Sequence, residues 1–447
     1  MTTTMLTQPQ GNRLSIPLAA DAAQSVKEDS VTIQVGRREL LARPDWKGTH
    51  GRVVLSASAL DQLHLGPEIL RVDRRQRHIR LGPVIAVYAI PFTGKRPFGP
   101  QTALFAELSD ICRKEGAHFI VLTPGSLHWD RRETVAYHRL PDGSWRMTVS
   151  PWPDYVWRRA TLRPARLADQ LDRDESILRD HVINGALLRA ESEKWQIYRE
   201  LSEHADLRTF LPATVLVEQV EDVLRAARQW RDVYVKPARG TQGQQIVRLL
   251  TRGSSYDIRM NSSQGKSGKG VVRLTNEEAA HKFFTSRLRR REAYIVQETV
   301  ALLKTAQGQP FDVRFLIQAR PGASPVCTAT VVKLGSPEAV TTNLHTGGQA
   351  LLPSALESRL AVADRKRFLA GLKQGEKLAM TAFRHLSATR VGLTEMGMDV
   401  AIDVDGNAKL LEVNPCPGRR MLREINPGLR RLSLLRVVEY AVFCTGF

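Results

Sequence analysis

The sequence predicts a multi-domain chain that mixes α/β and α+β organisation. Three observations predict it. Residues 83–150 alternate apolar strands with an amphipathic helix, the βαβ rhythm of a parallel sheet. Residues 233–249 and 397–415 read instead as hairpins, apolar runs on either side of a glycine-containing turn, which calls for antiparallel sheets. A chain of 447 residues with 42% hydrophobic content has material for two or three cores.

Composition narrows the function. No apolar run reaches the 18 residues that a membrane-crossing helix needs. Residues 1–24 are rich in Thr and Gln and lack the basic-then-apolar order of a secretory signal. Cys112, Cys327, Cys416 and Cys444 are scattered without CxxC spacing, which argues against disulfides and zinc and fits a reducing cytoplasm. The formal net charge is +19, mostly arginine spread along the chain with runs at residues 71–80 and 287–291. Such charge raises a polyanion as partner. No aromatic residues interleave with it, so a solvated basic surface is the preferred reading over nucleic-acid binding.

Taken in order, residues 1–25 are expected to be a flexible leader. Residues 26–80 carry short alternating runs at 31–35, 52–56 and 69–72, the pattern of a small β-rich module. Residues 84–88 then form a strand, 101–115 a helix ending before Gly116, and 118–122 a second strand. The connection at 92–99 contains Gly94-Lys95 but lacks GxxxxGK[ST] spacing, so it is not a phosphate loop of that type. A Pro/Trp-rich strand-and-loop segment covers 145–157, and helices are expected at 166–181, 194–204 and 218–230.

The chemistry-bearing residues lie further on. Lys236 closes a strand at 233–237 that runs into a turn with Gly240 and Gly243, then a second strand at 246–249. Such a loop can lie over a polyphosphate and offer backbone N–H groups, with the Lys236 ammonium reaching the same oxygens. A plain surface hairpin with an exposed lysine is the alternative. Residues 254–270, rich in Ser, Gly, Asn and Lys, read as a loop or insertion. A helix at 276–289 and strands at 293–300, 310–318 and 329–333 follow; Asp312 and Arg314 share one face of their strand. Residues 343–348 form a polar loop whose glycines permit close approach to a ligand, and 354–384 are helical. In the last hairpin Asp399 opens one strand, Asp405-Gly406-Asn407 turn, and Glu412 and Asn414 share a face of the other. Folding back at the turn brings three oxygen-bearing side chains together, a set suited to Mg²⁺. The alternative is a solvent-facing hairpin. Glu412 and Asn414 are embedded in an apolar strand, however, where polar groups need partners. Asp403 and Asp405 are read as turn residues.

This ordered set resembles the ATP-grasp fold, in which two α+β subdomains clamp ATP between antiparallel sheets. On that reading residues 81–185 are an α/β pre-ATP-grasp-like domain and 186–447 the ATP-grasp domain, with the lid subdomain at about 212–300. The segments LGPVIAVY, RPFGPQTALFAEL, PWPDYVWRR, EKWQIYRELSEHADLRTFLPAT, DVRFLIQ, TTNLHTGG and LLEVNPCPG, in this order from residue 81 on, resemble the YheC/YheD group. These are endospore coat-associated ATP-grasp proteins of spore-forming bacteria. The resemblance implies that Lys194 and Lys236 reach the nucleotide phosphates and that Gly240, Thr241, Gln242 and Gly243 form the lid loop. Gln297, Glu298 and Val300 would border the adenine and ribose. Arg314 would steady the transferred phosphoryl group, a catalytic role it shares with Lys236. Asp399, Glu412 and Asn414 would bind Mg²⁺. Arg314, Lys333, Asn343, Gly347 and Gly348 would face the acceptor substrate, with His345 and Arg159 near it. The chain departs from the group's pattern at Arg158, at Glu193 and in the GTQGQQ loop.

The implied function is a Mg²⁺-dependent, ATP-binding carboxylate–amine/thiol ligase that works through an acyl-phosphate and releases ADP. Its unknown acid and amine substrates are expected to be anionic or peptide-like. A cytoplasmic location with endospore coat association, and coat proteins as partners, are implied by the resemblance alone. No membrane partner is expected. The rival reading is a non-catalytic coat or scaffold protein that retains nucleotide binding. Cys416, beside the expected metal site, is read as a small filler.

Overall fold

The computed structural model describes residues 4–5, 30–42, 53, 55–160, 164–239, 245–260, 271–289, 292–337, 342 and 348–447. Four sheets organise them. The first is five-stranded, in the order Thr4–Met5, Arg71–Arg75, His78–Gly82, Val31–Val35, Arg38–Ala42. Residues 53, 55 and 56 lie outside any strand, and a short helix, Ala57–Gln62, follows, capped by Ser56. At its described positions the strand expected over 52–56 is not formed; Ser56 instead accepts from the Ala59 amide and starts a helical turn, and residues 52 and 54 lie outside the described residues.

In the second sheet Val84–Tyr88 pairs in parallel with His118–Leu122 on one side and with Tyr155–Arg158 on the other. Val84–Tyr88 and His118–Leu122 are buried throughout, as expected of strands covered on both faces. The helix Thr102–Lys114 covers one face through Phe105, Leu108, Ile111 and Cys112.

The third sheet is antiparallel, in the order Thr214–Val217, Tyr294–Glu298, Asp232–Pro237, Val247–Arg252, Ser255–Met260, Val272–Leu274. Alternation sends Val233, Val235, Val247 and Leu249 into a core shared with Val223, Leu224 and Ala227 of the helix Val220–Trp230. That helix starts with a reciprocal capping box between Gln219 and Asp222. Ser255–Met260 corrects the loop expected from 254: its buried Tyr256 and Ile258 alternate inward, although Ser and Gly dominate the flanks.

The fourth sheet runs Gln349–Leu351, Ala323–Leu334, Phe311–Arg320, Glu395–Ile402, Ala408–Asn414. Phe311, Val313, Phe315 and Ile317 pack on Phe368, Leu378, Ala382 and Phe383 of the long helix Val362–Ser387. A Cβ at Gly371 would stand 2.6 Å from Ile402 Cγ2, so only glycine lets the helix sit this close. The helical stretch expected over 354–384 is two helices, Pro353–Glu357 and Val362–Ser387, separated by an extended Ala361. The last helix, Pro427–Cys444, is N-capped by Asn426 and sends Leu434, Val437, Val438 and Ala441 into the core around Phe105 and Leu108, tying the fourth sheet to the second.

Candidate nucleotide and metal site

Register on the fourth sheet assembles the charged face. Arg314 lies opposite Asp399, Asp399 opposite Glu412, Gly397 opposite Asn414, and Asp312 opposite Lys333. Their apolar neighbours Phe311, Val313, Phe315, Met398 and Val400 point to the helix side, so alternation alone leaves these polar groups together on the other side. A bulge after Asp399 leaves Leu411 without a paired residue, and Leu411 and Glu412 both reach the cavity described below.

Asp399 is the hub. Arg314 grips it bidentately, Nε to Oδ1 at 2.7 Å and Nη2 to Oδ2 at 2.6 Å. Lys333 Nζ stands 3.1 Å from Asp399 Oδ2 and 2.7 Å from Asp312 Oδ1. The Asn414 amide donates to Asp399 Oδ2 at 3.0 Å, and the Thr342 hydroxyl donates to Asp312. Glycine at 397 makes room for this: a Cβ there would lie 3.6 Å from Arg314 Cδ and 3.1 Å from Pro417 Cβ.

Burial opposes a charge on Asp399, but Arg314 and Lys333 outweigh it and hold the carboxyl well below the usual carboxylate range. Asp312 goes the other way. Burial pushes its pKa up, Lys333 pulls it back in part, and Asp399 adds to the rise.

Two lysines approach from elsewhere. Lys194, the first residue of the helix Lys194–Ser202, places Nζ 3.5 Å from Glu412 Oε1. Lys236, at the end of its strand in the third sheet, donates to Gln297 Oε1 at 2.8 Å. Burial lowers the Lys236 pKa to about 8; Glu412 and Asp399 counter this and Lys194 reinforces it.

Between the third and fourth sheets lies a cavity of ≈ 580 Å³. That is within the roughly 300–1,000 Å³ of small-molecule sites. Of the residues singled out in the sequence, Lys236, Gln297, Glu298, Val300, Lys333, Asp399 and Glu412 line it. Lys194 lines a narrower recess with Lys236, Gln297 and Glu412. Arg314 and Asn414 adjoin through Asp399. Gly348 immediately precedes the strand Gln349–Leu351, which pairs beside Lys333. Arg159 is buried over the Trp157 ring and donates to the Pro417 carbonyl at 3.0 Å, so it holds the loop after Asn414. Cys416 is half-buried, with Sγ 3.9 Å from the Arg158 carbonyl. Gly240, Thr241, Gln242, Gly243, Asn343, His345 and Gly347 lie outside the described residues.

The cavity also uses Asp232, Tyr234, Arg248, Thr342 and Leu411, which sequence reasoning passed over. Asp232 and Tyr234 were reachable: they alternate with Lys236 and share its face. Arg248 lies opposite Tyr234 and pairs bidentately with Asp232.

Among the described residues no group of three His, Cys, Asp or Glu side chains clusters for a metal. The expected set is of a different kind, two carboxylates and an amide. Asp399, Glu412 and Asn414 are neighbours through cross-strand pairing and a hydrogen bond, and all three supply hard oxygens, which fits Mg²⁺. The Asp399 oxygens are held by Arg314 and Lys333 in this arrangement.

The family described as YheC/D-like ATP-grasp matches residues 183–444, more than half of the chain. This chain belongs to that family, and its fold is the ATP-grasp fold. It is similar to the endospore coat-associated protein YheD of Bacillus subtilis (strain 168), 24% identical over 402 residues that cover 88% of this chain and 85% of that protein. The endospore coat-associated protein YheC of the same organism is 20% identical over 324 residues, 72% of this chain and 86% of that protein. Among solved structures, the D-cycloserine synthetase DcsG is similar at 17% identity and a TM-score of 0.47, with 80% of this chain and 99% of that chain covered. Among the described residues no helix is long and apolar enough to cross a membrane.

Proposed function

We propose that this protein is a Mg²⁺-dependent ATP-grasp ligase that joins a carboxylate to an amine or thiol through an acyl-phosphate, with release of ADP. The observation that carries the proposal is the register of the fourth sheet. It sets Arg314, Asp399 and Glu412 in one row at the edge of a ≈ 580 Å³ cavity that Lys236 also reaches. Phosphoryl transfer of this kind depends on positioning and charge neutralisation more than on covalent catalysis.

Lys194 and Lys236 would hold phosphate oxygens, and Arg314 would steady the phosphoryl group in transit. Asp399, Glu412 and Asn414 would hold Mg²⁺, which when bound supplies further neutralisation of phosphate charge. Gly240, Thr241, Gln242 and Gly243 would cover the polyphosphate. Glu298 and Val300 would border the base and ribose. Lys333, Asn343, Gly347 and Gly348 would face an anionic or peptide-like acceptor. Residues 81–185 and 186–447 would act as the pre-ATP-grasp-like and ATP-grasp domains, with a lid at about 212–300. An association with the endospore coat is part of the proposal, since YheD and YheC carry that description, and cytoplasmic residence is proposed with it from the scattered cysteines.

The test is ADP release from Mg²⁺–ATP in the presence of mixed acids and amines, with Glu412→Ala as control. Turnover by the wild type that needs Mg²⁺ and is lost in the variant supports the ligase. ATP-dependent thermal stabilisation with no ADP from any acid and amine favours the non-catalytic scaffold instead.

A further inference from the structure

The side chain of Gln297 has both polar ends committed inside the protein. Thr214–Val217, Tyr294–Glu298 and Asp232–Pro237 are neighbours in the third sheet, and Thr214 lies directly opposite Gln297. Gln297 Oε1 accepts from Lys236 Nζ at 2.8 Å, and Gln297 Nε2 donates to Thr214 Oγ1 at 2.9 Å. Thr214 Oγ1 in turn donates to the Pro212 carbonyl at 2.9 Å, and the Tyr198 hydroxyl accepts from the Thr214 amide at 3.3 Å. All three side chains are buried, Lys236 at 8% exposure, Gln297 at 6% and Thr214 at 7%.

This chain of bonds fixes which way the amide points. An ammonium only donates, so the end of Gln297 that faces Lys236 is the oxygen. The threonine hydroxyl has given its proton to Pro212 and is left with lone pairs, so it takes the amide N–H. One bond at each end is enough to fix the orientation of the side chain from within the protein, independently of any ligand in the cavity it lines.

From this row of contacts we infer that Gln297 is a positioning residue for Lys236: it aims the ammonium at the cavity through a neutral acceptor and leaves the positive charge for a phosphate. The choice of residue type carries the argument. A buried ammonium needs an acceptor, since desolvation without one is costly. A carboxylate would supply that acceptor but would also neutralise the lysine in a buried ion pair. An amide supplies it at no charge, and among the described residues no other acceptor takes the remaining two N–H donors. The backbone row is what brings the partners together: Gln297 and Lys236 are 61 positions apart in sequence, and Gln297 and Thr214 are 83 apart.

The inference rests on the nucleotide reading of the cavity, and the experiment separates the two. The affinities for Mg²⁺–ATP, ADP and adenosine are measured by titration calorimetry and ligand-observed NMR for wild type, Gln297→Glu and Thr214→Val. Gln297→Glu keeps the size and the hydrogen bond to Lys236. Its expected effect is ATP and ADP binding weaker by about 10- to 100-fold, the range of one charge-assisted hydrogen bond, with adenosine binding within about twofold of wild type. Thr214→Val unlocks the far end of the amide and is expected to weaken ATP about threefold with adenosine unchanged; it decides the matter should the glutamate variant fail to fold. Parallel loss of adenosine and ATP would make Gln297 a base-reading residue and overturn the inference. So would wild-type ATP affinity in both variants. A wild type that binds neither ATP nor adenosine overturns the nucleotide reading itself, and this inference with it.

Discussion

Replacing Lys333 with methionine tests the charge balance on the fourth sheet. Lys333 is 4% exposed and bridges Asp312 at 2.7 Å and Asp399 at 3.1 Å. Methionine keeps the length of the side chain and removes its charge. Asp399 retains Arg314, whereas Asp312 is left with the hydroxyl of Thr342. Burial already raises the Asp312 pKa, and Lys333 is the foremost group that pulls it down, ahead of the Thr342 hydroxyl. Without the lysine it rises further. A folded-state pKa above the unfolded value means that stability is intact below the unfolded pKa, near 3.9, and is lost as pH rises toward the folded pKa. The loss grows by about 1.4 kcal/mol per pH unit. It approaches the roughly 3–5 kcal/mol expected for breaking a buried pair once pH is two to three units above the unfolded pKa. At about 2–4 °C per kcal/mol for a domain of some 150–250 residues, the melting temperature of Lys333→Met should fall by roughly 6–20 °C at pH 8, and by less than half of that at pH 5. Thermal melts of both proteins at the two pH values measure it. Equal melting temperatures at pH 8, or a larger loss at pH 5, would refute the assignment of Lys333 as the counter-ion of Asp312.

Two further perturbations probe the rest of the fold. Burial, with some help from His118, pushes the His138 pKa down to about 3. The unfolded chain therefore takes up a proton near pH 6.5 that the folded ring refuses, so stability is lost as pH falls from 6.5 toward 3, by about 1.4 kcal/mol per unit. His138→Gln should flatten the fall in melting temperature between pH 6.5 and 4.5; an unchanged slope would count against it. Arg419 ion-pairs with the fully buried Glu395 and donates to the Pro417 carbonyl at 3.0 Å and Ser433 Oγ at 2.8 Å. Arg419→Met removes the counter-charge of that carboxylate, leaving it the Gln318 amide as donor, and should cost about 3–5 kcal/mol in urea unfolding. A variant with the wild-type midpoint would show that the Glu395 charge is not held by Arg419.

The last hairpin was legible because its signals are local. The turn residues and the alternation from Asp399 to Asn414 sit within one short stretch, and the observed strands Glu395–Ile402 and Ala408–Asn414 follow them. The face carrying Asp312 and Arg314 was legible for the same reason. Its partners across the sheet were not. Arg314 meets Asp399 across 85 positions, and only the assembled register shows that the arginine occupies both oxygens of an expected metal ligand. The same holds for Gln297, whose commitment to Lys236 depends on the strand beside it. Composition misled at 254–260, where Ser and Gly at the flanks hid two inward-pointing residues, Tyr256 and Ile258. The final helix carried a readable N-cap, Asn426 ahead of Pro427, but that it packs against Phe105 and Leu108 is a property of the tertiary fold.

The charges at the cleft explain why the overall basicity of the chain says little about the site. Lys194, Lys236, Arg314 and Lys333 stand among Asp312, Asp399 and Glu412, four cations beside three carboxylates. Buried charges persist only when paired or hydrogen-bonded, so this near balance, with Gln297 as the acceptor for Lys236, is what allows the cluster to exist before any ligand arrives. A lone anion would engage the bases and strand the acids; a lone divalent cation would do the reverse. A cation and a polyphosphate together offer partners to both halves, which is the electrostatic reason for expecting them to bind as a unit. The cluster has an excess of one positive charge, against a formal +19 for the chain. Nearly all of the surplus therefore lies outside this cluster, and a polyanion partner, if the surface has one, is a separate matter from the chemistry of the hairpin.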